Sequence, residues 1–324
     1  MKFVRACLSV CLLTTPLSLH AQGQDSKPET QQVPELGDIV KAKDIFAHVT
    51  KDKGYVTLET KSKDGLPLTA DIYPGASAAA PMILLFHQAG SSRGEYRKIA
   101  PRLQTKGYNC LALDARSGNG VRWGVTNVTS AHALRRKLDR SYLAARQDLE
   151  RSLSWVREMQ FTGPLVIWGS SYSAALVLLM AQPDADGKKI KGVLAFSPGE
   201  YLGKKGLVTR AVPRIQVPIF MTCARAEARR TLAPFVKLMK NPQSGFFLPN
   251  TGRHGSSILT MTQAKEEAMR KDASQTWTRV FGFLALVAPT KANPAPRADT
   301  RPAAPTPKST SKPASQAASR RGRD

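Results

Sequence analysis

Two patterns of hydrophobic positions divide the chain. Residues 55–61 and 66–73 alternate apolar and polar side chains around Lys63-Asp64-Gly65, which predicts a hairpin with one covered face. From residue 82 the alternation gives way to short continuous apolar runs: 82–87 (MILLFH), 108–114 (YNCLALD), 164–169 (PLVIWG), 192–196 (GVLAF), 218–222 (PIFMT) and 245–248 (GFFL). Such runs fit strands buried on both faces, the environment of a parallel sheet. Helical segments fall between them, at 94–105, 141–159, 173–181, 226–239, 256–271 and 274–286. In 141–159, Leu149, Leu153 and Val156 share one face. The segment 173–181 is apolar all round, as a helix packed into a sheet is. A leading hairpin followed by alternating strands and helices predicts an α/β fold: a doubly wound, mostly parallel sheet with helices on both faces.

The two ends break this pattern. Lys2 and Arg5 precede an apolar stretch at 6–19, and Leu19-His20-Ala21 is an acceptable cleavage site, so residues 1–21 read as a signal peptide. The stretch is short for a membrane span, and no later run reaches that length, so no transmembrane segment is expected. The expected location is secreted or periplasmic. Residues 22–53 are polar and read as an extended lead-in to a domain at 54–287. Residues 288–324 are rich in Pro, Ala, Ser and Thr, carry eight basic residues against two acidic in 289–324, and read as a disordered tail.

Composition is otherwise ordinary for a globular chain: 324 residues, 42% hydrophobic and 22% charged. The net charge of +24 is the outlier. It suits an anionic envelope surface, reached through the basic tail, better than a specific nucleic acid, for which no recognition motif is present. Four Cys and five His, with no CxxC, HExxH or GxxxxGK[ST], argue against a disulfide scaffold, a zinc site and a P-loop. No metal or other cofactor is called for.

In a sheet of this kind chemistry is sited beyond the carboxyl ends of the strands. After PLVIWG comes Gly169-Ser170-Ser171-Tyr172-Ser173, a strand, a tight turn and an apolar helix with Ser171 at the apex. This is a nucleophile elbow in which Ser173 stands where Gly is usual. The base that Ser171 needs is His254, in the glycine-flanked loop Asn250-Thr251-Gly252-Arg253-His254-Gly255 after the last strand. A carboxylate must orient that base. Glu227, after PIFMT, is the first candidate. An acid here would also favour the first turn of a helix, and Glu200, one strand earlier, is the alternative acid. Backbone amides of Gln88 or Ala89, after the first parallel strand, and of Tyr172 supply an oxyanion hole. His87 would orient that loop rather than act as a base. Asp114-Ala115-Arg116 is either a substrate contact or a salt-bridged turn, and 117–139, with Trp123, is a candidate small cap. Asn127-Val128-Thr129 is a glycosylation sequon.

Taken together, LLFHQAGS, LALDARSG, IWGSSYS and NTGRHGSS, in this order over 54–287, resemble the α/β-hydrolase fold superfamily, nearest its dienelactone hydrolase-like and esterase-like branch. The resemblance implies an eight-stranded sheet of order 1-2-4-3-5-6-7-8, which would hold Cys110 and Cys223 apart as free thiols. It also implies an exported serine hydrolase cleaving an ester-like acyl bond of a small molecule through a Ser-His-acid triad. Amide or peptide cleavage is the nearest alternative. A non-catalytic module binding anionic polymer on the same scaffold is the rival of another class.

Overall fold

The computed structural model describes residues 40–49, 53–183 and 190–296. The proposed signal, most of the lead-in, and the tail beyond 296 lie outside the described residues.

Eight strands form one sheet: β1 (Val56–Lys61), β2 (Pro67–Tyr73), β3 (Met82–Phe86), β4 (Asn109–Leu113), β5 (Leu165–Ser170), β6 (Ile190–Phe196), β7 (Ile219–Thr222) and β8 (Gly245–Phe247). Their spatial order is β1-β2-β4-β3-β5-β6-β7-β8, as expected. β1 and β2 are an antiparallel hairpin, β2 meets β4 antiparallel, and every pair from β4 through β8 is parallel.

The continuous apolar runs have the predicted cause. Along β3, Met82, Leu84 and Phe86 join the core on one face, while Ile83 and Leu85 join the core on the other. With helices on both faces no position can be polar, so alternation disappears. On the first face lie α1 (Ala42–His48), α2 (Val128–Arg135), α3 (Arg146–Glu158) and α4 (Tyr172–Met180). On α3, Leu149, Leu153 and Val156 turn inward as expected. All nine residues of α4 are buried, which explains why it is apolar all round. On the second face lies α5 (Glu267–Val287), with Ala273, Trp277, Val280 and Leu284 inward at helical spacing.

Register aligns the carboxyl ends. Phe86 pairs with Leu113 on one side and Gly169 on the other, Ser170 with Phe196, and Phe196 with Thr222. The residues that follow these strands therefore share one edge of the sheet. Two backbone bonds continue the ladder past the strand ends: Ser171 N–H to Phe196 O, 2.8 Å, and Ser197 N–H to Thr222 O, 2.7 Å.

Some local expectations are corrected. The lead-in is not extended throughout, because Ala42 and Ile45 bury one side of α1 against the domain. The domain does not stop at 287. Ala288 is buried, Thr290 Oγ1 donates to Lys106 O at 2.5 Å, and Asn293 Nδ2 donates to Tyr108 Oη at 2.8 Å. Segments 94–105 and 226–239 are not single helices but successions of short 3₁₀ and α turns, and 256–271 divides between a 3₁₀ helix (Gly255–Gln263) and the start of α5, which begins at Glu267 rather than 274. Cys110 and Cys223 are both buried and free, as expected.

Candidate active site

The elbow forms as its sequence requires. Ser171 sits at φ 59°, ψ −121°, a conformation that L side chains rarely adopt, between β5 and the first turn of α4. A Cβ on Gly169 would stand 2.3 Å from the Ser173 carbonyl oxygen, so the helix packs on the strand too closely for any side chain there. Ser173 in place of Gly has a use of its own. Its hydroxyl donates to the His87 carbonyl at 2.6 Å and ties α4 to the loop after β3.

Acid and base are brought together. His254 Nδ1 lies 2.6 Å from Glu227 Oε2. The other carboxylate oxygen, Oε1, accepts from Ser197 Oγ at 2.5 Å and from Ala224 N–H at 3.0 Å. The Ser197 hydroxyl in turn accepts from Gly255 N–H at 2.9 Å, so one side chain fixes both the carboxylate and the loop that carries the base. Residue type alone gives Ser197 no role in the sequence. Its positive φ of 52°, invisible in the sequence, turns its hydroxyl into the site. The bond to Glu227 raises the His254 pKa, against the opposing effect of burial. Burial resists ionisation of Glu227, but its bonds from His254 and Ser197 prevail and hold its carboxyl below the usual range.

The base loop also packs onto the elbow. Ser256 N–H donates to Ser170 Oγ at 2.9 Å, and Ser256 Oγ accepts from Trp168 Nε1 at 2.9 Å. Gly255 is at φ 63°, and a Cβ there would lie 2.3 Å from Ser170 Oγ and 2.6 Å from Gln88 Oε1. His254 is thus next to a glycine wedged between Ser170, the residue before Ser171, and the oxyanion loop.

The alternative acid is placed elsewhere. Glu200 accepts from Thr209 N–H and Thr209 Oγ1, both at 2.7 Å, and from Val208 N–H at 3.1 Å. It caps the start of the short helix Leu207–Ala211. Partial burial opposes its charge, yet these bonds keep its pKa low.

The oxyanion loop is held through His87. This ring is buried, and burial lowers its pKa, favouring the neutral form. Nδ1 lies 2.8 Å from the Gln88 carbonyl, an acceptor only, so Nδ1 carries the proton. Nε2 then accepts from Ala115 N–H at 3.0 Å and Asn127 Nδ2 at 3.2 Å. In a trans peptide the N–H points opposite to the C=O. Drawing the Gln88 carbonyl toward His87 therefore turns the Ala89 N–H the other way. The Gln88 N–H is already engaged, donating to Glu95 Oε2 at 2.8 Å. Of the two loop candidates Ala89 is the available donor. The Tyr172 N–H is at the first position of α4, where a helix leaves amides without internal partners.

Asp114 and Arg116 form the salt-bridged turn. Asp114 pairs with Arg93 at 2.6 Å, and burial raises its pKa to about 6 in spite of that cation. Arg116 pairs with Asp148 and Asp64, both at 2.7 Å. The 117–139 segment contains a two-residue-loop hairpin, Val121–Arg122 with Val125–Thr126, and α2. Arg122 reaches from it to Ser257 at 3.2 Å, next to the base loop. Asn127 is buried and caps α2, accepting from Ser130 N–H at 2.8 Å, so its side chain is not available as a glycan acceptor.

No family model and no curated protein matches the chain. Solved structures do. An esterase from Pyrococcus furiosus superposes with TM-score 0.54 at 18% identity, over 79% of this chain and 97% of that one. A protein assigned as a dienelactone hydrolase from Klebsiella pneumoniae gives 0.52 at 15% identity, over 71% and 98%. Esterase 2 of Thermogutta terrifontis, phosphonylated by cyclosarin, gives 0.53 at 17% identity, over 74% and 96%. With the strand order, these likenesses give the chain the α/β-hydrolase fold.

Proposed function

We propose that this α/β-hydrolase-fold chain is a serine hydrolase of carboxylic esters working through an acyl-enzyme. The observation that carries the reading is the 2.6 Å His254–Glu227 pair, on a loop packed against the elbow that strains Ser171. Structural likeness to esterases supports it. Ser171 Oγ attacks the ester carbonyl carbon as its proton passes to His254 Nε2. The carbonyl electron pair moves onto oxygen, where the Ala89 and Tyr172 amides receive it. Collapse expels the alkoxide, which takes the proton from His254. Water repeats the sequence, releasing the acid and restoring the serine. Donors of this kind and a positioned base each contribute about two to four orders of magnitude. No step calls on a cofactor.

Glu227→Gln and Glu200→Gln test the triad on short-chain p-nitrophenyl esters. Glu227→Gln should lower kcat by about 10²-fold or more, and Glu200→Gln should leave kcat near wild type. Loss of activity in Glu200→Gln alone would reverse the assignment. The pH profile carries a sign as well. Activity needs neutral His254, and Glu227 raises that pKa, so the acid limb of kcat/KM should lie above the ordinary imidazole range. In Glu227→Gln the limb should move to lower pH.

Residues 1–21 are proposed as an export signal. Amino-terminal sequencing of the extracellular or periplasmic protein, expected to begin near residue 22, tests this.

A further inference from the structure

One acidic side chain in the site has no part in the scheme above. Glu95 lies on the 3₁₀ turn Arg93–Tyr96 and is 1% exposed. Its Oε2 takes the Gln88 amide, while its Oε1 is buried without a hydrogen-bond partner. A buried carboxylate with one oxygen unmatched is costly, so its retention calls for a return. Its surroundings are the catalytic centre. Gln88, which it holds, touches the position a Gly255 side chain would occupy, one residue from His254. The charge of Glu95 also favours the protonated form of His254 and disfavours ionisation of Tyr172.

We propose that Glu95 is a positioning residue of the catalytic centre, locking the oxyanion loop through the Gln88 amide. By taking the Gln88 amide, Glu95 fixes the peptide before the one that presents Ala89. The other groups around Glu95 are His87, Tyr96 and Tyr172, with Arg93 on its own turn. The charged groups packed on the base loop from elsewhere are Arg225, donating to the Pro249 carbonyl, Arg122, donating to Ser257, and Asp272, accepting from the Asn250 and Thr251 amides; Arg253 is on the loop itself.

The inference rests on the serine-hydrolase reading, and its test separates the two. Glu95→Gln keeps the shape and removes the charge. In the full chain it should lower kcat about tenfold with KM little changed, and shift the acid limb of kcat/KM to lower pH. The direction follows because losing a negative neighbour lets the ring shed its proton more readily. Glu95→Asp keeps the charge but shortens the reach, so it should lower kcat while leaving the limb in place. In Ser171→Ala protein, an imidazole proton titration of His254 by NMR reads the same shift without turnover. Should wild type prove inactive while Glu95→Gln still lowers the His254 titration, the esterase reading falls and the coupling stands. If Glu95→Gln and Glu95→Asp both leave kcat unchanged, or raise KM alone, the proposal is overturned.

Discussion

At the residue scale the site is an accounting of hydrogen bonds around three side chains. The candidate nucleophile and base can be picked out in the sequence because each follows a recognisable strand and is flanked by small residues. The choice of acid was not, because Glu227 and Glu200 both follow strands. What separates them is where their oxygens go: Glu227 to His254 and Ser197, Glu200 to the amides of Val208 and Thr209. Ser197 could not be read either, since its role depends on a positive φ that the residue type does not announce. Its hydroxyl joins Glu227 to Gly255, so Ser197→Ala should lower kcat about tenfold through looser placement of His254, with KM nearly unchanged. Steady-state kinetics check this; a rise in KM alone would place Ser197 in substrate binding instead.

At the element scale, local pattern succeeded where burial is two-sided and failed where turns are built on contacts. The runs of β3 through β7 and the all-apolar α4 were legible because a sheet covered on both faces favours apolar positions throughout; the run at 245–248 is the exception, since β8 is an edge strand with Phe246 exposed. The 226–239 segment contains helix-forming residues, yet it breaks into short turns after the strand end it follows. The Trp123-Gly124 loop is another case. Both residues take positive φ, 49° and 74°, as a hairpin of this type requires, but Trp gives no hint of it. The turn after β4 is held by Arg116, whose side chain is 1% exposed and whose partner Asp148 is wholly buried. Arg116→Met would leave that carboxylate buried without its cation, a loss of about 3–5 kcal/mol. Equilibrium urea unfolding measures it, and a loss below about 1 kcal/mol would show the pair to be dispensable.

For the whole molecule, the two-faced core followed from the apolar runs and the strand order from the family resemblance, whereas the boundaries followed from neither. Isolated apolar residues decide those: Ile45 draws α1 onto the domain, and Ala288 anchors the start of the tail. The same architecture sets a gradient of stability. β3 is paired on both sides and buried throughout, whereas β8 has three half-exposed residues and pairs only with β7 within the sheet. Amide exchange should be slowest at 83–86 and 166–169 and fastest among the strands at 245–247, and equal protection of β8 would contradict this. No described helix is long and apolar enough to cross a membrane. The central claim is that this scaffold activates Ser171. The most direct measurement is intact-mass analysis of the full chain after treatment with a fluorophosphonate, for wild type, Ser171→Ala and His254→Ala. The account predicts one adduct on wild type, at Ser171, and none on either variant. An unlabelled but folded wild type, or an adduct that survives Ser171→Ala, would contradict it.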